Sequence, residues 1–284
     1  MESQQRPIVD VIEPQQVVEG AGVKLRRSIG TGTLDYLDPF LLLDHFGATK
    51  AEDYEAGFPL HPHRGIETVT YMLRGGIDHR DSIGNSGSIG PGDVQWMTAG
   101  GGIMHEEMPQ VRPEGIDGFQ LWVNLPAKLK MTRPRYQGIL ANEIPQTEIE
   151  GGTRIRVITG TVNEVTGPVS GIAADPEYLD VLVPAHSFFT RAIARGHTAF
   201  AYVFEGAATF GDQNVSHTRL VVFGDGDYIR VGTGETPVRF LLVSGKPLNE
   251  PIARYGPFVM NTRKEIEQAL RDLRQGTFVW SGPE

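Results

Sequence analysis

The chain has 284 residues, room for one large domain or two of about 140 residues each. Its net charge of −9 argues against a general nucleic-acid binder, because phosphate contacts need clustered Lys and Arg. It has no cysteine, which excludes disulfides, thiolate metal sites and cysteine nucleophiles and suits a reducing cytoplasm. Met1 to Pro7 hold no apolar signal-peptide core, and no run reaches the roughly 20 apolar residues of a membrane helix. A cytoplasmic protein without a membrane or direct nucleic-acid partner is expected. The 35 Gly and 19 Pro point to many tight turns between short strands.

In chain order, the first basic cluster is Lys24 with Arg26-Arg27, expected as a solvated strand edge. His61-Pro62-His63 comes next. On a strand, residues i and i+2 share a side, so the two imidazoles point together and Pro62 points away. The missing amide of Pro62 predicts an edge or strand-entry position. An isolated His-x-His is more often a surface pair than a ligand set. The balance changes with His105 and Glu107, again at i and i+2, entered through Gly100-Gly101-Gly102. Three imidazoles and a carboxylate would hold one divalent ion with coordination positions open: Fe(II), Mn(II), Ni(II), Cu(II) or Zn(II).

β-Branched and aromatic runs predict strands at Thr68–Leu73, Phe119–Val123 and Phe240–Val243. The polar stretch Asn142 to Thr153, with Pro145 and Gly151-Gly152, predicts a boundary between domains 1–141 and 142–284. An internal repeat supports two copies of one fold. Tyr71-Met72-Leu73-Arg74-Gly75 returns as Tyr202-Val203-Phe204-Glu205-Gly206. Ile89-Gly90-Pro91-Gly92-Asp93-Val94 returns as Phe223-Gly224-Asp225-Gly226-Asp227-Tyr228. By these offsets His61 and His63 fall on Ala192 and Ala194, and His105 and Glu107 on Arg239 and Leu241. The second copy has no His-x-His, so the barrel does not itself require the ligands. Near the end, Thr262 and Glu265 form a capping box. Ile266, Ala269, Leu270 and Leu273 follow at helical spacing, and Gly276 supplies the stop.

Three segments together resemble the signature of the pirin family: His61 to Val69, Pro91 to Gly100, and Gly102 to Pro109. Leu121 to Pro126 and Gly256 to Thr262 resemble it too, so the likeness spans nearly the whole chain. It implies an all-β bicupin, two cupin-type barrels in tandem with a short C-terminal helix. It also implies one metal, usually iron, in the N-terminal barrel alone, held by His61, His63, His105 and Glu107. The general cupin pattern offers Glu67 instead of Glu107 as the carboxylate, and spacing alone does not choose between them. The pirin resemblance favours Glu107 and leaves Glu67 as a supporting pocket group.

Two functions follow from the resemblance. One is a quercetinase-type dioxygenase acting on flavonol-like substrates, with Glu107 as catalytic base and Phe58, Met97, Met104 and Trp122 lining the pocket. The other is a metal- or redox-sensing regulator that binds a transcription factor or metabolic enzyme, with Arg64, Arg80 and Asp81 near the site transmitting the metal's state.

Overall fold

The computed structural model of the chain describes residues 3–281. From the N-terminus come β1 (Ile8–Ile12), β2 (Gln15–Glu19), β3 (Val23–Ile29), β4 (Phe40–Ala48), β5 (Phe58–His63) and β6 (Ile66–Arg74). Then follow β7 (Ile77–Asp81), β8 (Ser86–Ile89), β9 (Val94–Thr98), β10 (Ile103–Pro109), β11 (Ile116–Asn124) and β12 (Arg135–Ile139). After Asn142 come β13 (Gln146–Ile149), β14 (Thr153–Thr159), β15 (Thr161–Val162), β16 (Val165–Thr166), β17 (Glu177–Val183), β18 (Phe188–Ala192) and β19 (Thr198–Phe210). The rest are β20 (Gln213–Ser216), β21 (Arg219–Phe223), β22 (Tyr228–Gly232), β23 (Val238–Gly245), β24 (Ala253–Tyr255), β25 (Phe258–Met260) and α1 (Arg263–Gln275). The three strands expected from composition lie within β6, β11 and β23. Among the described residues, no helix is long and apolar enough to cross a membrane.

The chain forms two compact units, both cupin-type and antiparallel. One holds Gln15–Ala141 and the segment from Leu248 onward; the other holds Asn142–Pro247 and the segment ending at Pro14. The division after Ala141 coincides with the expected boundary, but domains 1–141 and 142–284 need correction at both termini. β1 pairs with β21, Ile12 opposite Leu220, so the N-terminal strand completes the second unit. α1 buries Ile266 and Ala269 with Phe258, Met260 and Phe278 in the first unit. An edge strand's partner is set by long-range pairing, which contiguity along the chain does not reveal.

The first unit has a seven-stranded sheet, β12-β9-β6-β11-β4-β3-β2, and a four-stranded one, β5-β10-β7-β8. In the second, β19 runs long enough to join the path β1-β21-β19-β23-β17-β14-β13 to β20, β22 and β18. The second unit has an apolar core. Phe240 packs against Phe189 at 5.9 Å and Phe210 at 5.4 Å, centroid to centroid, among buried Val, Leu and Ile.

The topology confirms the duplication and corrects half of its register. Gly75 (φ 80) and Gly206 (φ 73), at equivalent places in the first repeated motif, both adopt the left-handed conformation. β5 pairs with β10 as β18 pairs with β22, and β11 lies between β6 and β4 as β23 lies between β19 and β17. The turn Gly224 to Asp227 therefore precedes β22, the place taken before β10 by Gly100 to Gly102. It is not the counterpart of Gly90 to Asp93. Gly-Asp turns recur at many hairpins, and similarity between two of them is weak evidence of equivalence. With Tyr228 opposite Ala192 and His105 opposite His61, the residue standing where His105 stands is Tyr228, not Arg239.

Candidate metal centre

β5 brings His61 and His63, β10 brings His105 and Glu107, and the pairing sets His105 opposite His61. β5 is the edge of its sheet, where Pro59 and Pro62 sit without interrupting a central ladder, as the Pro62 position predicted. The register slips between His105 and Glu107: Glu107 stands opposite Phe58, so β5 carries the extra residue of a bulge. One nitrogen from each of His61, His63 and His105 lies within 4.8 Å of the others, the one such cluster among the described residues. The ring centroids are 4.3 Å apart for His61 and His105, 4.9 Å for His61 and His63, and 5.0 Å for His63 and His105.

The electrostatics suit a cation. His61 Nδ1 donates to the Pro59 carbonyl at 3.0 Å, which leaves Nε2 with the free lone pair. His63 Nδ1 and both ring nitrogens of His105 are buried without a hydrogen-bond partner, a costly arrangement for polar atoms that nothing binds. Burial, reinforced by the neighbouring imidazoles, holds His63 and His105 well below the usual imidazole range; burial lowers His61 as well. All three rings are neutral lone-pair donors near pH 7, the form that a divalent ion requires. The donor set fits a single metal ion.

Glu107 shares the buried face of β10 with His105 but stands outside the three-nitrogen cluster. Thr70 Oγ1 lies 2.9 Å from Glu107 Oε1 and 2.8 Å from Gln120 Oε1. One hydroxyl proton serves one acceptor, so this chain closes when Glu107 carries a proton or the Gln120 amide is turned. Burial pushes Glu107 up to about 7, against the pull of the Thr70 hydroxyl. His79 faces Glu107 across the β7–β10 pair, and its Nε2 lies 2.7 Å from the Tyr136 hydroxyl. Sequence reading missed Thr70, His79, Gln120 and Tyr136. Their signal is a shared face with Glu107, visible only once the strand partners are known.

Glu67 lies elsewhere. Thr98 Oγ1 donates to its Oε1 at 2.7 Å, and the Trp96 side chain also favours the carboxylate. Along β6, alternation puts Glu67 on the side opposite Thr68 and Thr70, and Thr70 is the residue that reaches Glu107. Parity carried over from His61 and His63 fails because Gly65 (φ 82) turns the chain between β5 and β6. A Cβ at Gly65 would meet the Val259 carbonyl oxygen at 2.0 Å. Burial pushes Glu67 up to about 7, partly offset by Thr98.

The segment after Leu248 braces both turns that flank the three histidines. Buried Arg64, next to His63, pairs with Asp272 of α1 at 2.6 Å and donates to the Phe278 carbonyl at 3.0 Å. It is thus a structural clamp and not a surface charge. Lys130 Nζ donates to the carbonyls of Gly65 and Val259, both at 2.8 Å, and to Asn124 Oδ1. Gly102 (φ 140) accepts from the Trp280 amide at 3.0 Å, and a Cβ there would meet the Phe278 carbonyl at 2.2 Å. Arg80 is exposed and pairs with Glu106 at 2.5 Å, and Asp81 accepts from the Ile83 and Asn85 amides of its own turn.

His61, His63 and Glu107 line a cleft of about 540 Å³ whose walls include Phe46, Phe58 and Trp122. Trp122 meets His63 edge-on at 5.2 Å. Of the four expected lining residues, Phe58 and Trp122 line it. Met97 packs instead with Leu41 and Ile66, and Met104 against the Phe258 cluster. Arg27 is likewise no solvated edge: it bridges Asp44 (2.8 and 2.7 Å) and Glu19 (2.7 Å) in the cleft wall.

The Pirin family model matches residues 22–123, and the Pirin C-terminal cupin domain matches residues 178–279. A pirin-like protein of Caulobacter vibrioides is 44% identical over 96% of this chain and 99% of its own. The chain belongs to the pirin family. A provisionally named quercetin 2,3-dioxygenase of Pseudomonas aeruginosa is 43% identical to this pirin-family chain, covering 95% of it and 97% of the relative. The crystal structure of a quercetin 2,3-dioxygenase from Acinetobacter baumannii matches with a TM-score of 0.87 at 34% identity, covering 97% of this chain and 99% of that one.

Proposed function

We propose that the chain is a mononuclear metal-dependent dioxygenase of the quercetinase type, acting on flavonol-like substrates with Fe(II) held by His61, His63, His105 and Glu107. The observation that carries this reading is three neutral, largely unpartnered imidazoles beside an apolar cleft of about 540 Å³. That size and lining suit a planar aromatic molecule. The names of the similar Pseudomonas and Acinetobacter proteins support the same substrate class.

A bound divalent ion supplies Lewis acidity toward the substrate's oxygens and a redox partner for dioxygen. The chain's own residues do the rest. Glu107 accepts the proton of the flavonol hydroxyl at its carboxylate. Thr70, in contact with both Glu107 and Gln120, orients that carboxylate. Phe46, Phe58 and Trp122 exclude water from the bound ring system.

Aerobic incubation of the Fe(II)-loaded chain with quercetin tests the reading. Loss of flavonol absorbance over many turnovers per metal is expected. A metal-loaded chain that never consumes the flavonol would overturn it and favour the metal-sensing regulator.

A further inference from the structure

Arg254 lies on β24 and lines the same cleft as His61 and His63. Its guanidinium stacks over Trp122, 5.1 Å from the ring centroid, and the same indole meets His63 edge-on. Arg254 is therefore one aromatic ring away from the metal centre. The carboxylates whose charge reaches Arg254 are Asp35, Asp44 and Glu19, and the last two are already engaged. Arg27 takes both oxygens of Asp44 and also Glu19, and Lys24 pairs with Asp53 at 2.6 Å. Arg254 forms no ion pair among the described residues; the Leu41 carbonyl accepts from one of its nitrogens at 3.2 Å. A guanidinium has five N–H donors in a planar fork, so donors remain for a ligand in the cleft.

We propose that Arg254 is a specificity-determining residue of the cleft, binding an acidic oxygen, phenolate or carboxylate, on the part of an aromatic substrate remote from the metal. A fork already stacked on an aromatic face is pre-oriented, so little entropy is lost when it engages an oxygen anion. The apolar walls select a flat ring system, and Arg254 selects its substitution. This inference rests on the dioxygenase reading for the reaction but not for the binding.

The experiment therefore has two arms on the metal-loaded full chain. The first compares kcat/KM for quercetin and for 3-hydroxyflavone, which lacks the ring hydroxyls, in wild type, Arg254→Met and Arg254→Lys. The preference for quercetin should fall about tenfold in Arg254→Met, through KM, and partly return in Arg254→Lys. An equal loss on both substrates, or a loss confined to kcat, would overturn the assignment. The second arm needs no turnover: binding of 3,4-dihydroxybenzoate is followed by tryptophan fluorescence and calorimetry. Its Kd should weaken about tenfold in Arg254→Met, with metal content unchanged. Equal Kd values would sink the inference even if flavonols are turned over. A tenfold difference without flavonol turnover would uphold it while refuting the reaction proposed above.

Discussion

His105 has two buried, unpartnered nitrogens, and His61 has one ring nitrogen committed to the Pro59 carbonyl. Neither ring holds the fold together through hydrogen bonds to other side chains. Substituting His61→Ala or His105→Ala should weaken metal binding by more than about a hundredfold while leaving circular dichroism unchanged. Unfolding of either variant would make the site structural. The two buried glutamates should separate. Glu107→Gln should weaken metal binding, since an amide is a poorer donor than a carboxylate, and depress turnover further when fully loaded. Glu67→Gln should keep its metal, as its side chain is turned to the other face of β6. The reverse pattern of metal content would show that the general cupin arrangement applies. Glu67 also predicts a pH effect. Its folded pKa of about 7 exceeds the ordinary 4.5, so its stabilising contribution is complete below pH 4.5 and lost as pH rises through 7. The loss is roughly 3 kcal/mol, and Glu67→Gln, which has no such titration, should gain that much on wild type between pH 4 and pH 8. Urea titrations of the metal-free proteins at both pH values check this; parallel pH curves would contradict it.

At the level of elements, two turns aim the three histidines and one C-terminal segment holds both turns. The Arg64–Asp272 pair links the residue after His63 to α1, with the Arg64 side chain almost wholly buried. Asp272→Ala leaves that guanidinium with the Phe278 carbonyl but no counter-charge. The cost should be about 3 kcal/mol, with a weaker metal affinity as the β5–β6 turn loosens. Glu267→Ala, which breaks the exposed pair with Arg263 on the same helix, is the control and should leave the melting temperature unchanged. Thermal melts and metal titrations of both variants decide it; equal behaviour would mean that the helix does not brace the site. α1 itself was legible in detail, since its capping box and left-handed Gly276 are local devices. Which unit it braces was not, because Arg64 and Asp272 lie far apart in the sequence.

For the whole molecule, the second unit spends its interior on Phe189, Phe210 and Phe240 where the first opens a cleft. Metal analysis of the intact chain should give about one ion, and a value near two would refute an inert second barrel. A fragment of residues 1–141 should melt without cooperativity, because it lacks α1, β25, both acceptors of Arg64 and the Val259 carbonyl that accepts from Lys130. A sharp two-state melt of that fragment would show that the first unit does not need its C-terminal segment.

The sequence alone determined what depends on near neighbours. Alternation put His61 with His63, and His105 with Glu107, on one strand face, glycine and proline marked turns and an edge strand, and the repeat disclosed two copies of one fold. Tertiary structure alone decided what depends on pairing between distant strands. It turned Glu67 away from the site, because Gly65 breaks the alternation that links it to His63. It moved the equivalence of His105 from Arg239 to Tyr228, because hairpin lengths differ between the copies. It also brought Arg254, His79 and Tyr136 to the site from strands whose local pattern carries no mark of it, since a side chain's surroundings are set by which strands pair and in which register.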